Sequence, residues 1–241
     1  MTRSLAAAYA WRRPYWWTVG PGRWTAAILA LTPFTLVLPW SELPVLRDAE
    51  AAAGFVVWAS AIVLALRMSG PDGVRDEGLI WVYQKGVTPG ETAFANLLLD
   101  TAFALVFVVW WSLIGTLLAG SGTGVSILFA GLVVRGVSAF LVTYCVLFAL
   151  SAFGVERPND LAVALLLVSL LVPTLILVPG AEGLAWLRWA VPPFRAPIAL
   201  STSLVSGNMV GTSEAALHIT LYVGLLVGAA GGRLARWRPN S

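Results

Sequence analysis

Two ionisable residues sit inside long apolar runs and are the first candidates for chemistry. Asp100 lies within Thr92 to Leu118, and Arg135 within Val125 to Phe153. A charge held in hydrocarbon costs a few kcal/mol or more unless it is paired or wetted, so each needs a partner or a polar path. The two runs are consecutive and therefore antiparallel. The rise per residue places Asp100 in the inner part of its helix and Arg135 in the outer half of the next, at different depths. Arg135 suits a polar path or an anionic head group, and equally a structural role capped by carbonyls or by a subunit interface.

Other reactive residue types are sparse. Gly136-Val137-Ser138 and the single histidine, His218, fall in two different apolar runs and form a nucleophile–base combination on paper. That pairing resembles the rhomboid intramembrane proteases, but His218-Ile219-Thr220-Leu221-Tyr222-Val223 lacks the glycines that follow the rhomboid histidine. The single cysteine, Cys145, lies in an apolar run, cannot close an intrachain disulfide and reads as a small packed hydrophobe. No group of residues has metal-ligand spacing, and no G-x-x-x-x-G-K-[ST] sequence offers a phosphate cradle. A charged stretch, Arg75-Asp76-Glu77-Gly78-Leu79-Ile80-Trp81-Val82-Tyr83-Gln84-Lys85, lies between two apolar runs and has the pattern of a surface helix.

The elements that carry these residues follow from composition. The chain has 241 residues, of which 59% are hydrophobic and 11% charged, and its mean hydropathy is +0.83. That leaves too little polar surface to enclose a water-soluble core. The net charge of +3 comes from 15 basic residues scattered between apolar runs. They form no patch to meet nucleic acid. Almost all are arginine, Lys85 being the only lysine, which with the abundant alanine and glycine points to a bacterial genome rich in G and C.

Runs near the roughly 20 residues needed to span a bilayer occur at Trp24 to Trp40, Ala51 to Met68, Thr92 to Leu118, Val125 to Phe153, Leu161 to Val178 and Ala215 to Gly232. They are continuously apolar, without the alternation of a membrane barrel, so the fold class is an all-α integral membrane protein with six transmembrane helices. The whole chain, 1–241, forms a single transmembrane domain. Arg3, Arg12, Arg13 and Arg23, then Arg67, Arg75 and Lys85, then Arg157, then Arg233, Arg236 and Arg238 all fall on one side. The other side holds Arg47, Arg188 and Arg195. Both termini are therefore expected to be cytoplasmic, in a bacterial inner membrane.

The segment 1–23 is expected to lie along the interface, its tryptophans beside Arg12 and Arg13. The segment 69–91 is a cytoplasmic amphipathic helix bounded by Ser69-Gly70-Pro71-Asp72-Gly73 and Pro89-Gly90. The outer segment 180–213 is interrupted by Pro192, Pro193 and Pro197, cannot form one spanning helix, and reads as short re-entrant pieces. Gly224 and Gly228 in the last run permit close helix approach, within the chain or between copies.

This order of parts resembles the type-2 ABC exporter permease family. The likeness is carried by Arg75-Asp76-Glu77-Gly78-Leu79-Ile80-Trp81 with Thr88-Pro89 at the start of the third span, and by Trp189-Ala190-Val191-Pro192-Pro193-Phe194 ahead of the last. The resemblance covers the chain in topology and about twenty residues in motif. Its implications are a permease subunit for ATP-driven export, a coupling helix in which Arg75, Asp76, Glu77, Gly78, Trp81, Thr88 and Pro89 meet an ABC ATPase subunit, and assembly with a second or related permease. ATP and Mg would be bound by that partner ATPase and no cofactor by this chain. Asp100 and Arg135 become candidates for the translocation pathway. The sequence departs from the family at Ala95-Asn96-Leu97-Leu98, where many members carry a lysine.

Energy supply leads to the same place. Without a nucleotide site of its own, a transporter must receive energy by contact, and a rigid charged helix joined to a spanning helix is a suitable lever. The same charges could equally anchor an interfacial helix against head groups. A non-catalytic membrane scaffold, or a rhomboid-like protease using Ser138 and His218, are the alternative readings.

Overall fold

Residues 49–68, 89–119, 124–176, 183 and 186–236 are described in the computed structural model. Among them the only regular secondary structure is helical: α1 (Ala49–Met68), α2 (Pro89–Ala119), α3 (Val125–Ala152), α4 (Pro158–Ile176), α5 (Leu187–Ala190), α6 (Ala196–Val205) and α7 (Met209–Ala235). The helices α1, α2, α3 and α7 are each long and apolar enough to cross a membrane, as an α-helical membrane protein requires. The expected interfacial segment 1–23, the run Trp24 to Trp40, and Arg75, Asp76, Glu77, Gly78, Trp81 and Thr88 of the charged segment lie outside the described residues.

Except for α3, which starts with its run at Val125, the long helices start upstream of the apolar runs that revealed them. Proline opens α2 at Pro89 and α4 at Pro158. There a missing N–H is harmless and the fixed φ suits the first turn. The last long helix begins at Met209 rather than at the expected Ala215, because Asn208 caps it by accepting from the Gly211 N–H at 3.1 Å. Such a cap satisfies one of the donors that the first turn leaves open. The segment 180–213 therefore hands over to α7 earlier than hydropathy suggests.

Two sharp reversals use glycine in the left-handed region, a common way to end a helix. After α3, Gly154 (φ +86°) lets its own N–H reach Ser151 O and the Val155 N–H reach Leu150 O, each at 3.0 Å. After α6, Gly207 (φ +73°) repeats the pattern, with Asn208 N–H donating to Ser203 O at 2.8 Å. The second reversal and the Asn208 cap share a residue, so α6 turns into α7 without a loop.

The centre of the bundle is α3. Its residues Val142 to Phe148 and Ala149 are buried on every side, as expected of a helix surrounded by others. It packs against α1, α2, α4, α6 and α7. Close approach rests on small residues: a Cβ at Gly136 would come within 2.6 Å of Val108 Cγ1 and 2.9 Å of Val57 Cγ1, so α1 and α2 converge on this point of α3. Gly131 does the same for α6, where a Cβ would meet Val205 Cγ2 at 2.6 Å.

The periphery is different. The helix α4 leans mainly on α3 and exposes Leu161, Val163, Leu167, Val168 and Leu171, while α7 exposes Leu217, Leu221 and Leu225. Gly224 and Gly228 have no atom of the described residues within 4 Å of a notional Cβ. Such apolar outward faces are stable against lipid tails.

Candidate functional site

The polar side chains buried in this apolar bundle form separate groups along α3. At one level Asp100 of α2, fully buried, accepts a hydrogen bond from Tyr144 Oη of α3 at 2.5 Å. Asn96, one turn earlier on the same face of α2, is also buried, and its side-chain oxygen has no hydrogen-bond partner among the described residues. Polar atoms are thus gathered where α2 and α3 meet, toward the end of the bundle that carries Arg67, Arg157 and Arg233.

Arg135 belongs to the other half. It precedes Tyr144 by nine residues on α3. That separation is roughly 13 Å along the helix axis. Its Nε donates to Ser201 Oγ at 2.6 Å and its Nη2 to Thr202 Oγ1 at 3.3 Å, both on α6. The guanidinium lies directly against Gly54 of α1, in space a Cβ would claim. One side chain therefore bridges α1, α3 and the short helix. The two in-span charges singled out by sequence are not brought together: Asp100 ties α2 to α3 near one end, and Arg135 ties α3 to α6 near the other.

The connection between α4 and α6 is fixed by further bonds that the sequence does not advertise. Trp58 Nε1 of α1 donates to the Phe194 carbonyl at 2.9 Å, and Ser169 Oγ of α4 donates to the Pro192 carbonyl at 2.9 Å. Proline has no N–H and the turn has no ladder, so its carbonyls need side-chain donors once buried. The Phe194 ring is buried with Val142, Val146, Leu147, Ala162 and Ile219. The missed residues Tyr144, Gly54, Trp58, Ser201 and Thr202 are ordinary members of apolar helices. Only the presence of a glycine, a tyrosine or a serine inside an apolar run hinted at them.

Ser138 and His218 are not hydrogen-bonded to each other among the described residues. Ser138 Oγ donates within its own helix, to Val134 O at 2.6 Å and Arg135 O at 3.2 Å. Serine hydroxyls inside helices commonly bond back to the preceding turn in this way. The His218 ring lies 4.6 Å from that of Trp189 and 6.4 Å from that of Tyr222. Cys145 is buried in the core, as its surroundings in sequence suggest.

No family model, curated protein or solved structure matches this chain. The functional reading therefore rests on its own residues. Pro89, which follows the charged segment in sequence, is the first residue of α2, a helix of 31 residues. Such a helix is roughly 46 Å long, well beyond a hydrocarbon core of about 30 Å, and it projects past the bilayer unless strongly tilted.

Proposed function

We propose that this chain is the membrane-spanning permease subunit of an ATP-driven exporter of the type-2 ABC kind. The observation that supports it best is the order of elements around α6. That helix has 10 residues, turns back through Ser206-Gly207-Asn208 and is followed by the last long helix. At a length of about 15 Å it covers half the hydrocarbon core. A re-entrant piece in that place is what the resemblance in Arg75–Trp81 and Trp189–Phe194 implies.

In this reading six helices cross a bacterial inner membrane with both termini in the cytoplasm, and the re-entrant end faces outward. The segment containing Arg75, Asp76, Glu77, Gly78, Trp81, Thr88 and Pro89 docks on a separate ATPase subunit that binds ATP and Mg. A push there is transmitted along α2, which is continuous from Pro89 to Ala119. Asp100 and Tyr144 pass it to α3, and Arg135 passes it on to α6. Two permease copies, or this chain and a related one, enclose the path. Arg135 and Asp100 serve as braces between helices of one chain before they serve as walls of that path, since each is turned onto a neighbouring helix.

The test is an affinity pull-down of the tagged full-length chain from gently solubilised native membranes, with ATPase activity assayed in the eluate. A stoichiometric ATPase that is lost with Glu77→Lys supports the permease reading and locates the contact. Recovery of the intact chain without ATPase, under conditions that keep a known transporter complex together, refutes it.

A further inference from the structure

A cavity of about 580 Å³ opens at the re-entrant end, between α4, the turn from Pro192 to Ala196, α6 and the first half of α7. Its size suits a small ligand or the head of a larger one. Most of the lining is apolar, including Val172, Ile198 and Ala215, but two opposite charges share the rim: Arg195 before α6 and Glu214 on α7, both exposed. No ion pair joins them among the described residues. His218 also lines the cavity and carries the Trp189 ring on one side.

Its position matters as much as its chemistry. The helix α7 has 27 residues and begins at Met209, so Glu214 lies in its first turns. At a length of about 40 Å, such a helix stands with its first turns in the head-group layer of a bilayer whose core is about 30 Å. The two long helices that contribute to its lining, α4 and α7, also carry exposed apolar side chains, Leu167 and Leu171 on α4 and Leu217 and Leu221 on α7. A ligand with tails can leave between these helices into lipid. A soluble ligand gains nothing from them.

We propose that this cavity binds the head group of a zwitterionic glycerophospholipid, its phosphate toward Arg195, its ammonium toward Glu214 and the His218–Trp189 rings, and its acyl chains running out between α4 and α7. An anionic lipid would meet Arg195 but be repelled by Glu214, and a cationic amphiphile would meet the reverse. An ammonium placed against aromatic rings gains a further cation–π attraction. This site does not depend on the ATPase reading, because it is built within one chain.

Native mass spectrometry of the purified full-length protein in detergent, titrated with lipid, tests it. Phosphatidylethanolamine is expected to bind about tenfold tighter than diacylglycerol with the same chains, one tenfold step being what a single charge-assisted contact supplies. Arg195→Gln and Glu214→Gln are each expected to remove most of that preference while leaving thermal stability unchanged, since both side chains are exposed. Equal retention of diacylglycerol by the unaltered protein overturns the proposal. So does phosphatidylglycerol binding as tightly as phosphatidylethanolamine with no effect of Glu214→Gln, which leaves an anion contact only. Soluble glycerophosphoethanolamine binding as tightly as the lipid overturns the lipid as occupant.

Discussion

The guanidinium of Arg135 lies where any side chain larger than hydrogen at Gly54 would have to go, so a glycine on α1 makes room for the arginine that holds α6. Gly54→Ala is therefore expected to push Arg135 off Ser201 and destabilise the fold by about 1–3 kcal/mol, the usual cost of overpacking. The same change made in an Arg135→Ala background should cost much less. Denaturant titration of all four proteins in the cycle measures the coupling, and strict additivity would show that the two residues do not share this space.

Tyr144 donates to the carboxyl group of the fully buried Asp100. Tyr144→Phe removes that donor and should cost about 1–3 kcal/mol, the penalty for leaving a buried polar group short of a partner. Thermal unfolding in detergent reads this directly. An unchanged midpoint would mean that the other surroundings of Asp100 carry it unaided.

Trp58→Phe should keep the apolar packing but leave the Phe194 carbonyl without its donor. The expected effect is about 1 kcal/mol overall, concentrated in the turn. Hydrogen exchange should accelerate in 191–196 and stay constant in the middle of α3. Uniform acceleration along the chain would contradict a local role for this bond.

Glycines on the inside and outside of the bundle should respond in opposite ways. Gly136→Ala brings a Cβ against Val108 and Val57. It should lower stability by about 1–3 kcal/mol. Gly228→Ala meets none of the described residues. It should stay within about 0.5 kcal/mol in the monomer. If Gly228→Ala instead dissociates an oligomer in light scattering, the Gly224–Gly228 face is where copies meet.

Cys145 gives these experiments a readout that needs no added probe site. Fully buried and the only cysteine, it should react with a maleimide only as α3 becomes exposed, so its labelling rate should rise in Gly136→Ala and Tyr144→Phe. Rapid labelling of the unaltered protein would contradict the packing described for α3.

Much of the fold was legible in sequence because lipid imposes a simple rule on the backbone: each spanning segment must satisfy its own hydrogen bonds, so a continuous apolar run of sufficient length becomes a helix. The runs Ala51 to Met68, Thr92 to Leu118 and Val125 to Phe153 became α1, α2 and α3 with shifts of a few residues. The prolines at 192, 193 and 197 marked the break that separates α4 from α6. Starts were less legible where the first turn is polar, as at Pro158 and Met209, since capping there depends on single residues rather than on hydropathy.

Asp100 and Arg135 were visible for the same reason, as charges the surrounding lipid would reject. Their partners were not. Sequence by itself determined that the chain forms apolar helices, where they break and which residues within them must find polar company. Only the tertiary structure decided that Asp100 meets Tyr144, that Arg135 reaches Ser201 past Gly54, and that Arg195 and Glu214 share a rim. Those pairings depend on which faces of neighbouring helices meet, and hydropathy and periodicity leave that choice open.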